Sequence, residues 1–101
     1  MANFVLVYKG GRPAGGDAQA NMAAWGKWFG TLGAAVVDGG NPFGPSKTVG
    51  SGGAVTDGAV SSLTGYSVLK ADTLAAAAAL AKGCPVVANG GTIEVYEAVK
   101  M

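Results

Sequence analysis

No histidine occurs anywhere in this sequence. That absence removes the commonest metal ligand and the usual general base at neutral pH. It also excludes a haem or zinc site held by histidine. The single cysteine, Cys84, leaves no intramolecular disulfide. With one thiol and no imidazole, neither a specific transition-metal site nor a cofactor is expected. Charge is scarce too: 13% of residues are charged, seven basic and six acidic, for a net charge of +1. No Lys/Arg run exists, so the electrostatic footprint of a nucleic-acid binder is missing. The longest unbroken apolar run, Leu74 to Ala81, is too short to cross a bilayer. Met1-Ala2-Asn3-Phe4 carries no basic n-region and reads as a strand rather than a signal peptide, which points to a cytoplasmic protein.

What is present suits one α+β domain spanning residues 1–101. Half of the residues are hydrophobic, but many are alanine or valine, and 18 glycines add no bulk, so the core must be close-packed from small pieces. Small domains bury a modest share of their surface, and many gain stability by dimerising.

Phe4-Val5-Leu6-Val7-Tyr8 reads as a strand with two apolar faces, the mark of a sheet covered on both sides. Gly15-Gly16-Asp17 forms a loop ending in an N-cap. Met22, Trp25, Phe29 and Leu32 then trace one helical stripe with Trp28 beside it, and Gly33 supplies the stop. Gly26 and Gly30 weaken this helix and suit a close approach to another backbone. Ala34 to Val37 is a second strand. From Asp38 to Ser62 the chain is rich in Gly, Pro, Asn and Ser, with a small hairpin of Lys47–Val49 and Ala54-Val55 around Gly50-Ser51-Gly52-Gly53. A third strand runs from Gly65 to Ala71. Asp72 caps a helix from Thr73 to Lys82, which Gly83 and Pro85 end. The last strand is Thr92 to Val99. The resulting order is a ferredoxin-like β-α-β-β-α-β with an inserted loop or hairpin. In that fold the helices cover one sheet face, so the two-faced first strand asks for a partner chain, most simply a symmetric homodimer.

Gly39-Gly40-Asn41-Pro42, Val55-Thr56-Asp57-Gly58, Leu63-Thr64-Gly65-Tyr66 and Gly90-Gly91-Thr92-Ile93-Glu94-Val95 occur in an order and spacing that resembles the YCII-related family, in particular its DGPF-domain branch. With the first strand and the tryptophan-bearing helix, the resemblance covers nearly the whole chain. It implies a dimeric α/β barrel of two face-to-face ferredoxin-like sheets. It also implies a cleft between the sheet edge, the first helix and the DGPF loop. Two departures stand out. The name-giving tetrapeptide is here Asp57-Gly58-Ala59-Val60, and the histidine some members carry on the first helix is absent, so no His–Asp dyad carries over.

The candidate site residues are Trp28, Asp38, Asn41, Phe43, Lys47 and Asp57, and none is assigned a catalytic role. Trp25 and Trp28 suit an aromatic wall, against the alternative that Trp25 is core and Trp28 covers the dimer seam. Asp38 and Asp57 suit an acid–base pair, against the alternative that each caps a turn. The stiff string Asn41-Pro42-Phe43-Gly44-Pro45-Ser46-Lys47 suits a cleft rim with one cation for an anionic ligand, against a lid that only packs on the partner. Cys84 has too little positive charge near it for a reactive thiolate. The expectation is a dimeric binder of a small anionic or aromatic molecule, with Trp28, Asp38, Lys47 and Asp57 converging on one pocket. The enzyme alternative is a cofactor-independent isomerase or monooxygenase acting on small polar aromatics. A structural or regulatory interaction domain is the third class.

Overall fold

A computed structural model of the chain describes residues 1–11 and 18–100. The expected Gly15-Gly16 loop and Asp17 cap lie outside the described residues. The elements run β1 (Ala2–Lys9), α1 (Ala18–Leu32), a 3-10 turn (Gly33–Ala35) and β2 (Val36–Asp38), then β3 (Lys47–Val49), β4 (Val55–Asp57) and β5 (Leu63–Ala71), and finally α2 (Leu74–Ala81), α3 (Pro85–Ala88) and β6 (Thr92–Ala98). Four strands form one sheet in the order β2-β5-β1-β6, every neighbour antiparallel. Among the described residues β3 and β4 pair only with each other, in a sheet of their own. The protein is thus α+β with an antiparallel main sheet, and its strand order is compatible with the ferredoxin-like pattern.

Strand alternation explains the core. Phe4, Leu6 and Tyr8 of β1 are buried under the helices, level with Leu69, Ser67 and Gly65 of β5. Ile93 and Val95 of β6 add to the same face. α2 lies on this layer through Ala77 and Ala81, both buried; side chains of one carbon let a helix approach a sheet closely. Val5, Val7 and Val68 alternate onto the opposite face, where Tyr66 and Tyr96 stand beside them. Among the described residues no element of the chain covers that face, so the molecule is a slab, 18 Å thick against 43 and 41 Å in the other directions.

Several local expectations need correction. The buried side of α1 is Trp25, Trp28, Phe29 and Leu32, while Met22 is 74% exposed. The indole of Trp28 explains the rotation, because its Nε1–H donates to the Leu80 carbonyl at 3.1 Å and ties α1 to α2. A Cβ at Gly83 would lie 3.2 Å from that ring, so glycine there leaves room for it. A Cβ on Gly26 or Gly30 would meet nothing within 4 Å, so neither mediates a close backbone approach. Thr73, rather than Asp72, caps α2: its extended backbone directly precedes the first helical residue, and its Oγ1 accepts from the Ala76 N–H at 3.1 Å. Ala34 and Ala35 complete a 3-10 turn, which shortens β2 to three residues. Pro85 both ends α2 and opens α3, where its missing N–H costs nothing.

Candidate functional site

A cleft of about 730 Å³ opens between α1 and the sheet, where β1 ends and β5 begins. Its walls follow from local sequence. On one side α1 presents Asn21, Met22, Trp25 and Phe29 at helical spacing. Opposite lie Tyr8 and the glycine-rich stretches that leave β1 and β2, with little side chain between ligand space and backbone. Gly40 is required there. Its φ is 73°, and a Cβ would sit 1.8 Å from the Tyr66 carbonyl oxygen. Asn41 and Pro42 form the rim, held on β5 by Tyr66 N–H to Asn41 O (3.3 Å), Phe43 N–H to Thr64 O (2.9 Å) and a bridge between Pro42 and Gly65.

The aromatic wall is continuous. Trp25 meets Tyr8 edge-on at 5.3 Å between centroids and Phe29 at 5.7 Å. Trp28 lies behind, edge-on to Trp25 at 5.7 Å. Such edge and tilted contacts each contribute roughly 0.5–1.5 kcal/mol beyond area burial. They also hold the Trp25 ring at the cleft surface.

Beneath the wall runs an oriented hydrogen-bond chain. The Tyr8 hydroxyl donates to Ser67 Oγ at 2.6 Å, and Ser67 Oγ donates to the Gly39 carbonyl at 2.8 Å. A carbonyl only accepts, so the direction of the chain is set, and Tyr8 must keep its proton to complete it. Burial pushes the phenol well above its ordinary value; the Ser67 contact opposes this, and the neighbouring Cys84 adds to it. Cys84 is also buried and pushed up to about 11, chiefly by desolvation, with the Val86 backbone opposing. It is a core thiol, protonated at neutral pH.

The six expected site residues do not converge. Asn41 lines the cleft. Phe43 stacks on Tyr66 at 5.7 Å and 18°, just outside it. Asp38 stands beside the cleft, its Oδ1 accepting from the Gly40 N–H at 2.8 Å and its Oδ2 from the Tyr66 hydroxyl at 3.4 Å, so it caps the Gly39-Gly40 turn. Trp28 is 6% exposed and exchanges roles with Trp25, which meets the ligand space. Lys47 and Asp57 sit away on the hairpin, opposite each other, joined at 2.6 Å and largely solvated. Asp57 does not cap the Gly58 turn, because the Gly58 N–H donates to Ser46 O instead. Nor do the two aspartates form an acid–base pair, since they bond to different partners on different sheets. The cleft lining carries no charged side chain among the described residues. Among these residues, too, no group of three His, Cys, Asp or Glu side chains could hold a metal ion, and no helix is long and apolar enough to cross a membrane.

Tyr8 and Ser67 are the residues that sequence reasoning passed over, while Trp25 was weighed as an aromatic wall but left off the candidate site. A signal existed for Ser67. It is the one hydroxyl in the alternating series Gly65, Ser67, Leu69, Ala71, a place where a buried polar group needs a partner. Compared with known proteins, the chain matches no family model, no curated protein and no solved structure.

Proposed function

We propose that this chain is a cytoplasmic, homodimeric small-molecule-binding protein of the YCII-related, DGPF-branch type, with the ligand held in the α1 cleft. The observation that carries the reading is the cleft itself, walled by Trp25, Phe29 and Tyr8, lined by glycines and edged by Asn21 and Asn41. An apolar pocket with a few convergent polar groups is the usual form of a small-molecule site. Its chemistry favours a planar aromatic with neutral hydrogen-bonding edges. An anionic ligand has less support, because Lys47 is engaged by Asp57 outside the cleft. Support for the dimer is the uncovered face of Val5, Val7 and Val68, which a second ferredoxin-like sheet would close into a dimeric α/β barrel. The enzyme alternative, with Asp38 or Asp57 as base and Lys47 as electrophilic aid, has less support, because Lys47 and Asp57 sit on the hairpin away from the cleft and Asp38 accepts from the Gly40 N–H and the Tyr66 hydroxyl.

The test is a titration of tryptophan emission with neutral N-phenyl-1-naphthylamine and, in parallel, with benzoate. Saturable quenching by the neutral amine, weakened at least tenfold in Trp25→Ala, is expected. Benzoate should bind more weakly, and equally in wild type and Lys47→Ala. Absence of saturable binding by either probe sinks the reading.

A further inference from the structure

Resting on the reading that two copies pair, we propose that the β3–β4 hairpin is an arm with which each subunit holds the other, the Val49–Val55 pair being its contact face. Cross-strand register decides which residues share that face. Lys47 stands opposite Asp57, Thr48 opposite Thr56 and Val49 opposite Val55. Side chains alternate along a strand, so both valines lie on one face with the Lys47–Asp57 ion pair at its base. The threonines take the other face, where the Thr48 hydroxyl donates to Gly58 O at 2.6 Å. Among the described residues nothing covers the valine face: Val49 is 69% exposed and Val55 59%. Among the described residues neither strand makes a substantial contact with the main sheet or with any helix. A lone two-stranded hairpin is marginal in water, and a paired β-branched couple contributes most when something packs on it.

A second copy is the occupant that the surface supports. A compact monomer of 9.8 kDa exposes about 5,200 Å². This chain exposes 6612 Å², an excess of about 1,400 Å² over that scaling, against the roughly 800 Å² each partner contributes to a standard interface. The radius of gyration, 14.7 Å, likewise exceeds the roughly 13 Å of a compact domain this size. Charge agrees as well. Lys47 and Asp57 neutralise each other within the arm, so two like arms meet no net repulsion. Two-fold symmetry makes the clasp reciprocal.

The hairpin can be removed cleanly because its feet touch: the Gly58 N–H donates to Ser46 O at 2.9 Å. The experiment compares the wild type, an excision joining Ser46 to Gly58, the point variant Val49→Asp and the opposite-face control Thr56→Lys by sedimentation equilibrium. Circular dichroism and tryptophan emission report the fold. The excision and Val49→Asp should raise the dimer dissociation constant at least tenfold with the fold intact, and Thr56→Lys should leave it unchanged. Should the excised chain fail to fold, Val49→Asp, which keeps the backbone whole, decides. Wild-type dissociation constants in a folded Val49→Asp overturn the arm and leave the dimer standing. A wild type that is monomeric throughout overturns the arm together with the dimer, while binding of N-phenyl-1-naphthylamine still reports on the cleft.

Discussion

The two faces of the main sheet come from the same strands and have opposite fates. On β1, Phe4, Leu6 and Tyr8 go under the helices, while Val5 and Val7, equally apolar, are half-buried and meet no covering element among the described residues. The covered face also gathers polar groups, the Tyr8–Ser67–Gly39 chain and Cys84, each with its partners in place. The uncovered face sets polar groups beside its valines, with Tyr66 and Glu94 opposite Val7, where Tyr66 bonds to Asp38 at 3.4 Å and Tyr96 to Glu94 at 3.2 Å. Along β1, hydrophobicity therefore does not distinguish the faces. The covered one is committed to a single packing within the chain.

The strongest way to break this comparison is to truncate Trp28. Trp28→Ala removes a buried ring and the bond to Leu80, and should cost about 3–5 kcal/mol by urea unfolding. Val7→Ala on the opposite face, half-buried in the chain alone, should cost the folded monomer under about 1 kcal/mol. Equal losses would show that the faces are not distinct.

Ser67→Ala probes the polar chain. It leaves the Tyr8 hydroxyl and the Gly39 carbonyl without their partner, for an expected loss of about 1–3 kcal/mol. Tyr8→Phe added to Ser67→Ala should cost less than the sum of the two single changes, because without the Tyr8 hydroxyl the loss of Ser67 no longer strands a donor. Strict additivity in the double-mutant cycle would remove the chain as a unit.

The smallest effect concerns pH. Cys84 is raised from its ordinary 9.0 to about 11, and Tyr8 is raised from 10.0. Raised folded-state values favour the protonated forms, so their stabilisation is complete below pH 9 and is lost as pH climbs through about 11. Relative to pH 7, stability should fall by about 1 kcal/mol at pH 9.5. Cys84→Ala should flatten that slope, and an unchanged slope would show that the thiol does not contribute.

Much of the framework was legible in the residues themselves. Phe4 to Tyr8 carried β-branched and aromatic residues at the right density for a strand. Gly50-Ser51-Gly52-Gly53 marked the hairpin turn, which the structure places between Val49 and Val55. The site was less legible. Asn41 was found because a proline-stiffened stretch after a strand reads as a rim. Trp25 and Trp28 were exchanged because they lie three residues apart on one side of α1, and helical phase alone does not tell which ring faces a gap and which faces α2.

Sequence by itself determined the order of the strands and of the two longer helices, the apolarity of both faces of β1 and the lack of histidine chemistry, since composition and short-range alternation need no knowledge of distant neighbours; the 3-10 turn at Gly33–Ala35 and the short α3 were not among its expectations. Tertiary structure alone decided the rest. Trp28 is buried because the Leu80 carbonyl, 52 residues away, waits for its indole N–H. Asp38 meets the Tyr66 hydroxyl, 28 residues away, because β2 joins β5. Long-range pairing brings those partners together, and no local pattern encodes it.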